Sequence, residues 1–277
     1  MRKNKVLGAL IFILIALVPI VLVSLTSVSA VIPFGANLTF INSTKAPDDY
    51  PGNNSAIAGN ITEMNIYGFT RTQTWQGYMG NVSGTIFLAD YWDNQMYNWS
   101  LASPSGEVYA SRNDTLNWYL VQCFNFTANG SSSVNDDLQN GSTNLYGMNL
   151  TQLEAAYGIN YTQHDIDGVN ETFSLTGTQE WGGGFAHNLF YTNNLQFSAG
   201  ECLSTTLFSS VGVVQGQFQE VLLYEPQARQ PVFVSILDEE NPAGFDDRPH
   251  DFEMLVLEDG HGTDRATTAY YFYVELE

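Results

Sequence analysis

Phe218-Gln-Glu-Val-Leu-Leu-Tyr224, Val232-Phe-Val-Ser-Ile-Leu237 and Asp251-Phe-Glu-Met-Leu-Val-Leu257 are the stretches whose reading decides the fold. Each is short, dense in β-branched, aromatic and other apolar residues, and bounded by turn formers, which is how strands are written. Working outward, Thr267–Leu276 closes the chain with Tyr270, Tyr271, Phe272 and Tyr273. Upstream, mostly period-two patterns predict strands at Asn37–Ile41, Ile61–Phe69, Gln73–Tyr78, Val82–Ala89, Gln95–Leu101, Glu107–Ser111, Glu171–Leu175, Leu195–Ser198 and Cys202–Phe208. Gly80-Asn81 and Ser103-Pro-Ser-Gly106 are turn chemistry. Asp114–Phe126 reads as strand or short helix. One helix is expected near 150–157: Thr151-Gln-Leu-Glu154 is a capping box, Leu153, Ala156 and Tyr157 form a stripe, and Gly158 fits the position after the last turn. The expected fold is therefore mainly β, an antiparallel β-sandwich, one large or two small. Any seam falls at the Ser/Asn/Asp/Gly stretch Gly130–Ser142, and there is no fixed repeat.

The amino terminus carries an export signal. Arg2, Lys3 and Lys5 precede an apolar run from Val6 to Val23, and Val28-Ser-Ala30 presents compact residues where a signal peptidase reads. The run is also just long enough to span a bilayer. Residues 1–30 are thus a signal peptide or an N-terminal membrane anchor with its positive end inside. Lys5-Val-Leu-Gly8 is a poor match to a prepilin site. Either way, 31–277 is expected to be an extracellular β-sandwich region.

That region holds six basic side chains (Lys45, Arg71, Arg112, Arg229, Arg248, Arg265) against all 29 acidic ones, leaving −23. Such a chain does not bind nucleic acid by counterion release, and anionic lipid surfaces repel it. Cys123 and Cys202 form the simplest framework for an exported chain, one disulfide. Asn-x-Ser/Thr sequons begin at Asn37, Asn42, Asn53, Asn60, Asn81, Asn98, Asn113, Asn125, Asn129, Asn140, Asn149, Asn160 and Asn170, and none follows. In a cell with N-glycosylation these would coat the first part of the chain and leave the remainder bare.

Two acidic constellations are candidates for a cation. Asp165-Ile-Asp167-Gly-Val-Asn170 sets oxygen ligands around a glycine turn, as calcium requires, but lacks the helices and final glutamate of an EF-hand. Asp246, Asp247 and Asp251 stand among the acids of the C-terminal hairpin ends. Ordinary acidic or solvated turns are the plainer reading of both. No two carboxylates stand in the apolar setting that glycoside hydrolysis needs, and no Gly-x-Ser-x-Gly elbow occurs. Trp181-Gly-Gly-Gly184 matches no phosphate loop, and His187 beside it stands alone. The tryptophans Trp75, Trp92, Trp99, Trp118 and Trp181 suit sugar stacking, but Tyr97 and Trp99 share a strand face and are expected to pack the sandwich.

Thr74-Trp-Gln-Gly-Tyr-Met-Gly-Asn-Val-Ser-Gly84, Tyr97-Asn-Trp99, Gly106-Glu-Val-Tyr-Ala110, Phe218–Leu223, Gly244-Phe245, His250-Asp-Phe252 and Tyr270–Glu275 resemble a group of archaeal exported, cell-surface β-sandwich proteins. The resemblance spans most of the region after residue 30 and implies a surface setting, without an activity or catalytic residues. The resulting expectation is a non-enzymatic, N-glycosylated structural or adhesive protein of the cell surface. Two alternatives stand beside it: a subunit of a filament or surface layer that self-assembles through strand edges, and a secreted protein that binds or hydrolyses surface glycans.

Overall fold

The computed structural model describes residues 32–47, 50–68, 71–101, 104–126, 147–148, 150–159, 167–175, 185–210, 216–238, 240, 242–258 and 267–276. The export segment, the stretch Gly130–Ser142, the sequons at Asn129, Asn140, Asn149 and Asn160, Asp165 and Trp181 lie outside them. Among the described residues no helix is long and apolar enough to cross a membrane.

The strands are β1 (Phe34–Gly35), β2 (Trp75–Gly80), β3 (Thr85–Ala89), β4 (Gln95–Ser100), β5 (Gly106–Ser111), β6 (Gln122–Cys123), β7 (Asn125–Phe126), β8 (Gly147–Met148), β9 (Phe190–Thr192), β10 (Leu195–Phe197), β11 (Ser204–Thr206), β12 (Gln219–Glu225), β13 (Gln230–Ile236), β14 (Phe252–Leu257) and β15 (Tyr271–Leu276). The expected helix is present at Leu150–Ala156, and Gly158 takes the left-handed conformation that stops it, with φ 72°.

The main sheet runs β1-β15-β5-β13-β12-β11, every pair antiparallel. Its register explains why the deciding stretches are apolar throughout. Tyr273, Tyr109, Val234 and Val221 form one cross-strand row, and Val274, Val108, Ser235 and Glu220 form the next, facing the other way. Both faces are covered, so β12 is buried along its whole length. On the first face, the β9–β10 hairpin, Trp118 and Val121 pack over Tyr109, Val221, Val232 and Val234. On the other, β14, β2 and the helix pack over Ala110, Leu222 and Phe233. The antiparallel sandwich architecture is thus present, with a broad first layer and a second layer of two strands, β14–β2.

Several local expectations are corrected. Glu171–Leu175 is a one-turn helix, Val169–Thr172, followed by a single bridge at Ser174; its apolar residues pack as Val169 and Phe173 do in the core, at helical spacing. Asn37–Ile41 and Ile61–Gly68 are not strands, and no described strand bonds them. Tyr97 and Trp99 do share a face, 4.9 Å apart in an edge-to-face pair, but both are exposed rather than packed in the sandwich.

Cys123 and Cys202 are joined in a disulfide, Cα atoms 4.9 Å apart. Cys123 is opposite Leu223 on β12, while β11 begins opposite Val221 on the same strand. The bond therefore stitches together two short strands that share one edge of β12 end to end.

Candidate functional site

The sequence-predicted cation ligands are placed in structural roles. Asp167 Oδ2 accepts from Thr72 Oγ1 at 2.5 Å, and its carbonyl accepts from the Trp75 indole N–H at 2.6 Å, so it docks the start of β2. The Asn170 amide donates to Glu171 Oε1 at 2.7 Å. Asp251 Oδ2 accepts from the Val82 N–H at 2.6 Å. Asp246 is ion-paired with Arg248 and bonded to His250 Nε2 at 2.9 Å. Burial opposes ionisation of Asp246, but these partners hold its carboxyl below the usual carboxylate range. Asp247 occupies the left-handed position of that turn, φ 61°. Among the described residues no three His, Cys, Asp or Glu side chains converge as a metal site would require.

His187 is buried and braces the disulfide. Its Nε2 accepts from the Cys202 N–H at 2.9 Å, which leaves Nδ1 to donate to the Asn188 carbonyl at 2.7 Å. This is the neutral tautomer, in keeping with a pKa lowered by desolvation.

A pair of buried carboxylates escaped the sequence reading. Glu107 and Glu275 are direct cross-strand partners on β5 and β15, and both are buried. The Tyr109 hydroxyl donates to Glu275 Oε2 at 2.9 Å and lies 3.1 Å from Thr192 Oγ1. The Asn193 N–H, at the left-handed turn of the β9–β10 hairpin, donates to both oxygens of Glu275 at 3.0 and 3.1 Å. Burial, then the charges of Glu107 and Glu275, push the Tyr109 phenol well above its ordinary pKa. The residue before the pair must be glycine: at Gly106, φ is 120° and a Cβ would collide with the Glu275 carbonyl. Charged residues in strands normally mark a solvated face, so only the cross-strand register could have revealed this cluster. It is roofed by the hairpin rather than open to a cleft.

A wide concave feature lies elsewhere. A groove of about 3200 Å³ runs between β2, the start of β3, the β15 end of the main sheet and residues 34–46. Its walls include Tyr78, Val82, Phe272, Val274 and Leu276, and Tyr78 and Phe272 meet edge to face at 5.1 Å. The two edges of the second layer differ. The edge of β14 is satisfied by side chains of the main sheet: Ser235 Oγ donates to the Glu253 carbonyl at 2.9 Å, and the Leu255 N–H donates to Glu220 Oε2 at 2.8 Å. No described strand pairs with the other edge of β2.

Residues 34–46 line this groove, and residues 37–47 and 50–68 make a single backbone–backbone hydrogen bond, Asn60 to Ile57, among the described residues. Leu38, Phe40, Ile41, Ile57, Ile61, Met64, Ile66 and Tyr67 are exposed along them. The β3–β4 hairpin likewise exposes Phe87, Trp92, Tyr97 and Trp99. Of the described sequons, Asn37, Asn42, Asn53, Asn60, Asn81, Asn98 and Asn170 are exposed, while Asn113 and Asn125 are half-buried.

No family model, curated protein or solved structure matches the chain.

Proposed function

We propose that the protein is an exported, non-enzymatic structural subunit of the cell surface that assembles with copies of itself by β-strand pairing. The observation that carries this reading is the coexistence, in one chain, of a β2 edge that no described strand pairs and two strand-patterned stretches without described strand partners, Asn37–Ile41 and Ile61–Gly68. An open edge templates a further strand, and an array of exposed apolar side chains gains little by staying in water. The disulfide agrees with an oxidising compartment, and the exposed sequons agree with a glycosylated outer face. The surface-glycan alternative draws on the exposed aromatics of the β3–β4 hairpin, but they form no enclosed pocket with convergent polar groups.

Sedimentation velocity and negative-stain microscopy of the protein from residue 31 onward test the proposal. Species larger than the monomer should grow with concentration and appear as ordered chains or sheets. A single monomeric boundary up to millimolar concentration would overturn it.

A further inference from the structure

The cluster of Glu107, Glu275 and Tyr109 lies on the other face from the groove, and assembly makes no use of it. We infer that Glu107 and Glu275 hold one proton between them at neutral pH and that this proton is a latch: when it leaves, the β9–β10 hairpin lifts from the main sheet.

The row that holds the pair runs from Glu275 on β15 through Glu107 on β5 and Ile236 on β13 to Gln219 on β12. Side chains directly opposed in such a row stand about 5 Å apart, and like charges there repel. Glu107 is 4% exposed and Glu275 1%, and two carboxylates in one buried site do not both ionise readily. The rest of the row and the roof bring no charge. Ile236 and Gln219 are neutral, and the Gln219 amide is taken up by the Asn188 N–H and the Gly216 carbonyl. The hairpin from Phe190 to Phe197 contains no acidic or basic residue. Tyr109, the remaining titratable group, feels the charges of these two glutamates. Three donor contacts converge on Glu275, two from the Asn193 N–H and one from the Tyr109 hydroxyl. Such donors favour the ionised form, so the proton is left to Glu107.

Losing that proton places a second negative charge opposite the first, and a buried charge pair of one sign needs water. The strands beneath cannot part to admit it, because β15 and β5 are each flanked by a strand on both sides. The roof can. Among the described residues β9 and β10 pair only with each other, over three residues each. Their polar hold on the sheet is on the cluster itself, through the Asn193 N–H and through Thr192 Oγ1 at the Tyr109 hydroxyl. The buried Asn193 amide leaves Nδ2 without a hydrogen-bond partner among the described residues, a group that entering water would satisfy. Against lifting stands the apolar contact of Phe190 and Phe197 with the Tyr109, Val221 and Val234 face. The hairpin therefore stays down while one carboxyl is neutral and rises when both are charged.

Hydrogen exchange of the disulfide-intact protein, read peptide by peptide and corrected for the intrinsic pH dependence of exchange, tests the latch. Between about pH 6 and about pH 10, the protection of residues 190–197 should fall roughly tenfold or more while that of residues 219–236 holds. Glu107→Gln keeps a neutral side chain opposite Glu275 and should hold the hairpin's protection level across that range. Glu275→Gln removes the charged acceptor and should lower it at every pH. Glu220, on the opposite face of the sheet, also gives up a proton as pH rises, but its effect belongs to residues 252–257 and should persist in Glu107→Gln. Protection over residues 190–197 that is flat with pH in the wild type would overturn the latch without any variant. A fall that survives Glu107→Gln would overturn its assignment to this pair, and wild-type protection in Glu275→Gln would overturn Glu275 as the group that holds the hairpin.

Discussion

Glu220 shows how a single residue can serve a sheet at a cost. It faces the second layer from the start of β12, fully buried, and its Oε2 takes the place of a strand by accepting the Leu255 N–H. Oε1 has no hydrogen-bond partner among the described residues. Burial pushes this carboxyl well above the usual range, with the Leu255 bond only partly offsetting it. The folded protein therefore holds a proton that the unfolded chain has already released above about pH 4.3. Stability contributed by this group is complete below that pH and is lost as pH rises toward the raised folded value. Glu220→Gln keeps an acceptor for Leu255 and removes the cost of taking up a proton on folding. It should stabilise the protein at pH 7 by on the order of 1–3 kcal/mol, and melting curves from pH 4 to 8 should fall less steeply for the variant. Parallel curves would show that Glu220 does not titrate with folding.

At the scale of elements, the disulfide does what β6 and β11 cannot do alone. Strands of two and three residues are too short to hold an edge. The bond closes a loop of 79 residues, for which loop-closure entropy predicts about 4–5 kcal/mol. The double replacement Cys123→Ser/Cys202→Ser should cost about 2–5 kcal/mol in urea unfolding, with His187 losing its Cys202 N–H partner as the edge loosens. An unchanged midpoint would show that β12 holds this edge without the bond. The same scale shows what was legible. β12, β13, β14 and β15 could be read because their stretches are dense in strand formers, and the helix because its capping box and terminal glycine are local signals. Asn37–Ile41 and Ile61–Phe69 were read as strands on the same grounds, but a strand needs a neighbour, and the sequence does not say whether one exists. The Glu107–Glu275 pair was hidden for a related reason: which residue of β15 lies opposite Glu107 is a matter of register, invisible to local pattern.

The proposed assembly sets strong like charge against strand pairing. Net charge of −20 keeps copies apart, whereas strand addition and apolar burial draw them together. Screening at about 10 Å in 0.1 M salt, shortening further above it, weakens only the first effect. Raising sodium chloride from about 20 mM to about 500 mM should therefore increase the assembled fraction in sedimentation, by roughly tenfold in apparent association constant for a balance of about 1.4 kcal/mol. A decrease would mean that attraction between opposite charges dominates the contact.

The position of β5 has a consequence for timing. It lies in the middle of the main sheet, yet its two partners, β13 and β15, are both encoded far downstream. Neither side of β5 can be satisfied by a local hairpin, and closing such long loops makes folding slow. Under the export proposed above, through a narrow channel, that delay would keep the polypeptide linear until the strands that complete its core have passed through.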